Sequence, residues 1–250
     1  MAIKRYRIKI DKETTDIGTA GELMVALDVL QGHHDRMVLE QLHSHLDKII
    51  SGPEDLYKVI RSLNPDDQVY LIEGLSSNFV KIIQSAGNLR DIFATLSDYK
   101  VEEKIIQTLG SDGLKTLIRS AKELSEVLEW VYGKCDQMVL DSLGVDYLKH
   151  LIQNGYELSL VLHSLDHKCQ EVLIDMLGWE DVRELVIDRR DLAHLLRALP
   201  GELSKRLLND FTKEKLWKII RDKYGWQYLH KYLEADEAEY LEKVLEVKHA

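Results

Sequence analysis

The sequence predicts an all-α chain, a right-handed-type α-solenoid of about 34-residue repeats with two or three short helices each, and three recurring apolar tracks predict it. In the first track Ile49–Ile50 returns as Ile82–Ile83, Leu117–Ile118, Leu151–Ile152, Leu185–Val186 and Ile219–Ile220, at intervals of 33, 35, 34, 34 and 34 residues. In the second, Val38–Leu39, Leu71–Ile72, Ile105–Ile106, Val139–Leu140, Leu173–Ile174 and Leu207–Leu208 keep the same step. A large apolar residue follows each of these pairs three positions on, from Leu42 through to Phe211. The third track reads Leu56, Val59, Ile60, Leu63, then Leu89, Ile92, Phe93, Leu96, and continues in step to Leu192, Leu195, Leu196, Leu199. Its i, i+3, i+4, i+7 spacing is one apolar face of a helix.

Taken in chain order, residues 3–10 alternate like a short strand or form an ordered arm. Leu23, Ala26, Leu27 and Leu30 match a third-track helix one period before Leu56. From residue 35 each unit holds three apolar segments: one of about two turns such as Cys135 to Leu143, a short one such as Val145 to Gln153, and one of nearly three turns such as Glu157 to Leu165. The first two segments are either separate helices or one kinked helix. Gly110, Gly144 and Gly178 at their junction favour a break, because glycine accepts a left-handed backbone. An acid or amide (Glu22, Asp55, Asn88, Glu123, Glu157, Asp191) precedes the first Leu of each third segment, where a negative charge suits the helix start. Pro53 fits such a start, and Asn64–Pro65 marks the turn after a third segment. Trp226, Leu229 and Leu233 hold the register near the end, and 234–247 reads as a charged closing helix. The expected organisation is therefore an arm and capping helix over 1–34, a repeat stack over 35–211, and a partial repeat with capping helices over 212–250. No linker interrupts the register of the stack.

Composition narrows the class. The 250 residues are 45% hydrophobic and 30% charged, with 3 Pro and 14 Gly, enough apolar material for a core and too little Pro and Gly for a disordered chain. A net charge of −10 makes nucleic acid a disfavoured partner. Two cysteines, Cys135 and Cys169, are too few for a disulfide framework. The basic N-terminus has no signal-type apolar run, and no stretch approaches about 18 uncharged apolar residues, so a soluble cytoplasmic chain with no integral membrane segment is expected.

Chemistry leaves few marks. His163, His167 and Cys169 lie close in sequence, as do His33–His34 and His43/His45, but no Cys-x-x-Cys or His-Glu-x-x-His completes a metal set. Asp166–His167 reads as a turn, which would part His163 from His167. Cys135 and Cys169 occupy equivalent repeat positions, better explained by repetition than by nucleophilic catalysis. Gly110, Gly144 and Gly178 lack the Lys-Ser/Thr of a phosphate loop. The expectation is no enzyme, no catalytic residue, no metal and no cofactor.

What remains is surface. A stack of helical units exposes a long face, and binding energy concentrates in a few aromatic and arginine side chains. Tyr57, Arg61, Trp130, Tyr147, Tyr156, Trp179, Arg189, Arg190 and Arg197 are the candidates. Their alternative role is packing between units, above all for Tyr147 and Trp179, which follow the Gly joint. Segment 183–223 holds 11 Lys/Arg, Arg221 among them, against 7 Asp/Glu, a local charge of +4. The equivalent third-segment positions Arg61, Ala94, Glu129, His163 and Arg197 give no regular base-reading code. The main reading is a protein-binding adaptor or regulator; the alternative is an RNA-binding helical repeat protein using 183–223.

Among known repeats, the 34-residue step suits tetratricopeptide units, but Leu143–Gly144 is only a fragment of their pattern, and the Thr-Pro-Leu-His signature of ankyrin units is absent. Three short helices per unit look more like armadillo or Pumilio arrangements, whose units are longer. The texture LeuGly-x-x-x-Leu-x-x-Leu-Ile followed by Glu/Asp-Leu-x-x-Val-Leu-x-x-Leu, seen at 143–152 and 157–165, resembles divergent α-helical repeats in effector proteins of intracellular bacterial pathogens. The resemblance spans 35–211. It implies a protein that engages a host protein or regulates another effector, in a host cytosol if secreted, and carries over no catalytic residue.

Overall fold

Alternation of Tyr6, Ile8 and Ile10 gives a strand, as the first of the two N-terminal expectations has it. A computed structural model describes residues 4–10, 13–30, 34–220, 223–233 and 235–245. Ile3, His33, Arg221, Glu234 and residues 246–247 of the expected elements lie outside these. Strand β1 (Tyr6–Ile10) pairs antiparallel with β2 (Glu13–Ile17), Tyr6 opposite Ile17 and Ile8 opposite Thr15. Tyr6, Ile8 and Ile17 are buried, while Arg7 and Asp16 pair on the outer face at 2.9 Å. The Gln41 amide closes the backbone of Lys9, accepting from its N–H at 2.8 Å and donating to its carbonyl at 2.9 Å.

All other regular structure among the described residues is helical. An opening helix α1 (Ala20–Leu30) precedes α2 (Asp35–Leu42), α3 (Leu46–Ile49) and α4 (Pro53–Arg61), then α5 (Pro65–Leu75), α6 (Phe79–Ile83) and α7 (Ala86–Phe93). Next come α8 (Tyr99–Leu117), broken at Gly110, and α9 (Ala121–Leu128). They are followed by α10 (Lys134–Leu143), α11 (Val145–Leu151) and α12 (Gly155–His163), and by α13 (His167–Leu177), α14 (Trp179–Glu184) and α15 (Arg189–Ala198). The chain ends on α16 (Gly201–Asn209), α17 (Lys213–Ile220), α18 (Lys223–Leu229) and α19 (Ala235–Leu245). The long–short–long order of the three segments is thus present, and the fold is all-α apart from the hairpin.

Glycine breaks the first segment from the second where the sequence places it. Gly144 and Gly178 have φ of 74° and 85°, and an added Cβ would meet nothing within 4 Å at either, so conformation rather than space requires glycine. The two earlier junctions lack glycine and use 3-10 turns instead, His43–His45 and Ser76–Asn78.

The acids before each third helix do more than complement a dipole. Glu22, Asp55, Glu123, Glu157 and Asp191 accept hydrogen bonds from the backbone N–H four residues earlier, at 2.8, 3.2, 2.7, 2.7 and 3.1 Å. Reciprocally, Ser120, Asn154 and Asp188 accept from the N–H of the acid's own residue, and on α15, where Asp191 also accepts from the Asp188 N–H, the pair forms a capping box. Asn88 stands where the acid is missing, hydrogen-bonded to Ser85 Oγ at 2.8 Å, and the preceding Gln84 has the only positive φ of a non-glycine among the described residues.

A polar track runs through the interior in the same step: Asp35, Gln68, Glu102, Asp136, Gln170 and Ser204, all buried. Gln68 Nε2 donates to the carbonyls of Ile60 (2.8 Å) and Leu63 (3.1 Å), and Gln170 Nε2 to those of Leu162 (2.7 Å) and Leu165 (3.3 Å). Ser204 Oγ donates to Leu196 (3.2 Å) and Leu199 (3.3 Å). These side chains satisfy the carbonyls that the end of the preceding third helix leaves open.

The chain forms two compact units, residues 1–118 with 130–142, and residues 119–129 with 143–250. The division interleaves the register, α9 belonging to the second unit and most of α10 to the first. In the first unit α1 packs on α4, α4 on α7, α2 on α5 and α5 on α8. In the second α9 packs on α12, α12 on α15, and α15 on α18, while α19 closes on α16 and α17.

Candidate interaction surface

Helices that pack in register turn their first, fourth and fifth apolar positions inward, so the positions between them face out. Residues two before and five after the leading Leu are outward ones: Tyr156 and His163 on α12, Arg190 and Arg197 on α15. Tyr156 is 48% exposed and meets the His194 ring edge-on at 5.0 Å. Its backbone N–H donates to the Asp191 carboxylate at 3.1 Å, which ties the start of α12 to the start of α15. Gly155 makes that approach possible, since a Cβ there would fall 2.7 Å from Asp191 Cβ and 3.1 Å from its Cα.

The other candidates divide. In the first unit Arg61 lies over the Tyr57 ring at 5.4 Å and donates to its hydroxyl at 3.5 Å. Tyr57 also lines an open groove of about 510 Å³ between α4 and α7, together with Pro53, Lys58, Asp91 and Thr95. Ala94 is part of the same lining and stands at the repeat position filled by Arg61 in the preceding unit. Trp130, 37% exposed, follows α9 in sequence. In the second unit Trp179 is half-buried with Arg206 stacked over it at 4.3 Å, and Tyr147 is half-buried beside His150 at 6.0 Å. Trp179 thus meets α16 through Arg206, whereas the ring partner of Tyr147 lies on its own helix. Arg189 is half-buried at the start of α15, its Nη1 3.2 Å from where a Cβ on Gly225 would stand, so it faces α18 rather than solvent. The structure thus places Tyr156, Arg190 and Arg197 at outward positions of the neighbouring helices α12 and α15, and leaves Trp179, Tyr147 and Arg189 half-buried.

No sequence expectation marked Tyr224, Tyr228 or Lys231 as site residues, yet they line one hollow on α18 and the turn after it. Tyr224 stands two residues before Trp226, as Arg190 stands two before Leu192, so the register contained the signal. Desolvation, its hydrogen bond with Tyr232 and the Tyr232 charge push the Tyr228 phenol up, against the opposing charge of Arg190 on α15, the helix that packs on α18.

The chain matches no protein-family model, no curated protein and no solved structure.

The reactive residue types are held in structural roles. Burial and the nearby carboxylates Glu102 and Glu103 push the Cys135 thiol up to about 12, so it stays protonated at neutral pH and is a poor nucleophile. Cys169 is buried, and its N–H donates to the capping carboxylate of Asp166 at 2.8 Å, which holds that carboxyl below the usual range. His163 Nδ1 lies 2.6 Å from the Ser159 carbonyl within α12, whereas His167 opens α13 and sits 3.3 Å from Gln170 Oε1. The two imidazoles therefore engage different partners on different helices, as the turn at Asp166 predicts. No described helix is long and apolar enough to cross a membrane.

Proposed function

We propose that this chain is a non-enzymatic protein-binding adaptor or regulator, its helix triplets stacked as a right-handed-type α-solenoid whose outward third-helix positions form the recognition face. The observation that carries the reading is the division of labour along α12 and α15. Their inward positions are aliphatic, the leading acids Glu157 and Asp191 accept from backbone amides, and the outward positions hold the exposed Tyr156, Arg190 and Arg197. Rigid aromatics and arginines on a preformed helical face are the groups in which interface energy concentrates. Neighbouring units that share one interior would keep such positions in a fixed array. Under this reading the chain acts in a cytosol, that of its own cell or of a host if it serves as an effector or an effector's regulator.

The test is capture with the intact chain from the cytosol of its source and, separately, of a host cell, followed by reconstitution with the purified partner. A stoichiometric complex that Tyr156→Ala or Tyr57→Ala weakens about tenfold or more, about 1.4 kcal/mol, is the expected result. A folded, monodisperse chain that retains no specific partner from either source would overturn it.

A further inference from the structure

Arg190 and Arg197 stand seven residues apart on α15, two turns or about 10 Å along the helix, with His194 between them on the same face. Both are exposed, and neither has an ion-pair partner among the described residues. The carboxylates of Asp188, Asp191 and Glu157 accept from backbone N–H groups. Asp188 accepts from the N–H groups of Arg190 (2.7 Å) and Asp191 (3.2 Å), and Asp191 accepts from those of Tyr156 (3.1 Å) and Ile187 (3.1 Å). Glu157 accepts from Gln153 N–H at 2.7 Å. Two of the seven acids counted in 183–223, Asp188 and Asp191, are thus engaged with backbone. By contrast, Lys149 in the same unit is paired with Asp181, and Arg206 is stacked on Trp179.

Aromatic side chains flank the cations on both sides. Tyr156 on α12 is 48% exposed, and Tyr224 on α18 is 76% exposed, with the exposed Lys231 beyond it in the same hollow. Guanidinium groups recognise carboxylates by paired hydrogen bonds, and tyrosines add contact area at small entropic cost. We propose that the face formed by α12, α15 and α18 is a docking surface for an acidic peptide segment of a partner protein. Its carboxylates sit on Arg190 and Arg197, and its apolar side chains lie against Tyr156 and Tyr224. The proposal rests on the protein-binding reading and names the partner's chemistry.

Charge favours a peptide over a polynucleotide. The whole chain carries −10, and the basic stretch 183–223 only +4. A polyphosphate continues beyond the patch into the field of an acidic chain, whereas a segment with two or three carboxylates ends where the patch ends.

Fluorescence anisotropy with the full chain tests this, using labelled peptides of repeated Glu-Glu-Leu and of repeated Gln-Gln-Leu, and an oligouridine. The acidic peptide binds and the glutamine peptide does not; binding weakens between about 50 and about 300 mM salt as screening grows. The double variant Arg190→Ser, Arg197→Ser weakens it about tenfold or more, Tyr156→Ala also weakens it, and Lys81→Ser, an exposed cation of the first unit, leaves it unchanged. Unchanged thermal unfolding of the double variant excludes misfolding as the cause. No binding of the acidic peptide, equal binding of the two peptides, or tighter binding of oligouridine each overturns the proposal. A captured protein partner whose affinity ignores Arg190 and Arg197 also overturns it while leaving the adaptor reading intact.

Discussion

Glu102 occupies the interior polar track, where two other repeats carry glutamine, and it is 3% exposed. Burial pushes its carboxyl up, against the opposing hydrogen bonds from the Tyr132 N–H (3.3 Å) and the Cys135 thiol. A carboxyl raised in the folded state contributes most when protonated. That contribution is complete below the ordinary glutamate range and is lost as pH rises through the raised folded value. Glu102→Gln, which adopts the residue found at Gln68 and Gln170, is therefore expected to unfold at a higher temperature than the parent at pH 7 and at the same temperature near pH 4. Thermal unfolding across pH checks this, and a variant less stable at pH 7 would sink the account. A second expectation concerns thiols: Cys135 and Cys169 are buried, so a thiol reagent at mildly alkaline pH should modify them only at the rate of unfolding. The polar track has the same 34-residue step as the apolar ones and was legible in principle. Reading for apolar periodicity passes over it, because an isolated Gln or Ser in sequence does not declare the carbonyls it must reach.

Element ends were the most legible part of the fold, for a local reason. A helix start must satisfy its amides within four residues, so Asn154 and Glu157, or Asp188 and Asp191, sit within one turn of the groups they cap. Strand β2 was not legible: Glu13–Ile17 holds one aliphatic residue, and its pairing is set by β1 and not by its own pattern. Asp191 shows how a cap becomes an inter-helix tie. It accepts from its own helix start and from Tyr156 of the neighbouring helix. Asp191→Ala should cost about 1–3 kcal/mol in urea unfolding, with Asp191→Asn losing less because one acceptor oxygen remains. Gly155→Ala attacks the same tie from the other side by forcing Cβ against Asp191, at a cost of about 1–3 kcal/mol. A neutral result for both would mean that α12 and α15 are held together without this contact. The proposed recognition face was only half legible. Arg190 and Arg197 can be counted in a sequence, but which carboxylates face them depends on which helix lies alongside.

At the scale of the molecule, the question is whether consecutive helices behave as one cooperative interior. Leu162 is fully buried on α12, and α12 packs on α9 and on α15 alike. Truncation to alanine removes aliphatic contacts that the helix shares with both neighbours and costs about 2–5 kcal/mol. If the interior is shared, that loss is distributed: amide hydrogen exchange in Leu162→Ala should accelerate in α9 and α15 by factors close to that in α12, because opening any of the three exposes surface of the others. A stack of nearest-neighbour units predicts further that acceleration falls off toward α18, which packs on α15. Acceleration confined to α12 would mean that each helix opens alone, and a face assembled from α12, α15 and α18 would then lack the fixed spacing that recognition across it requires.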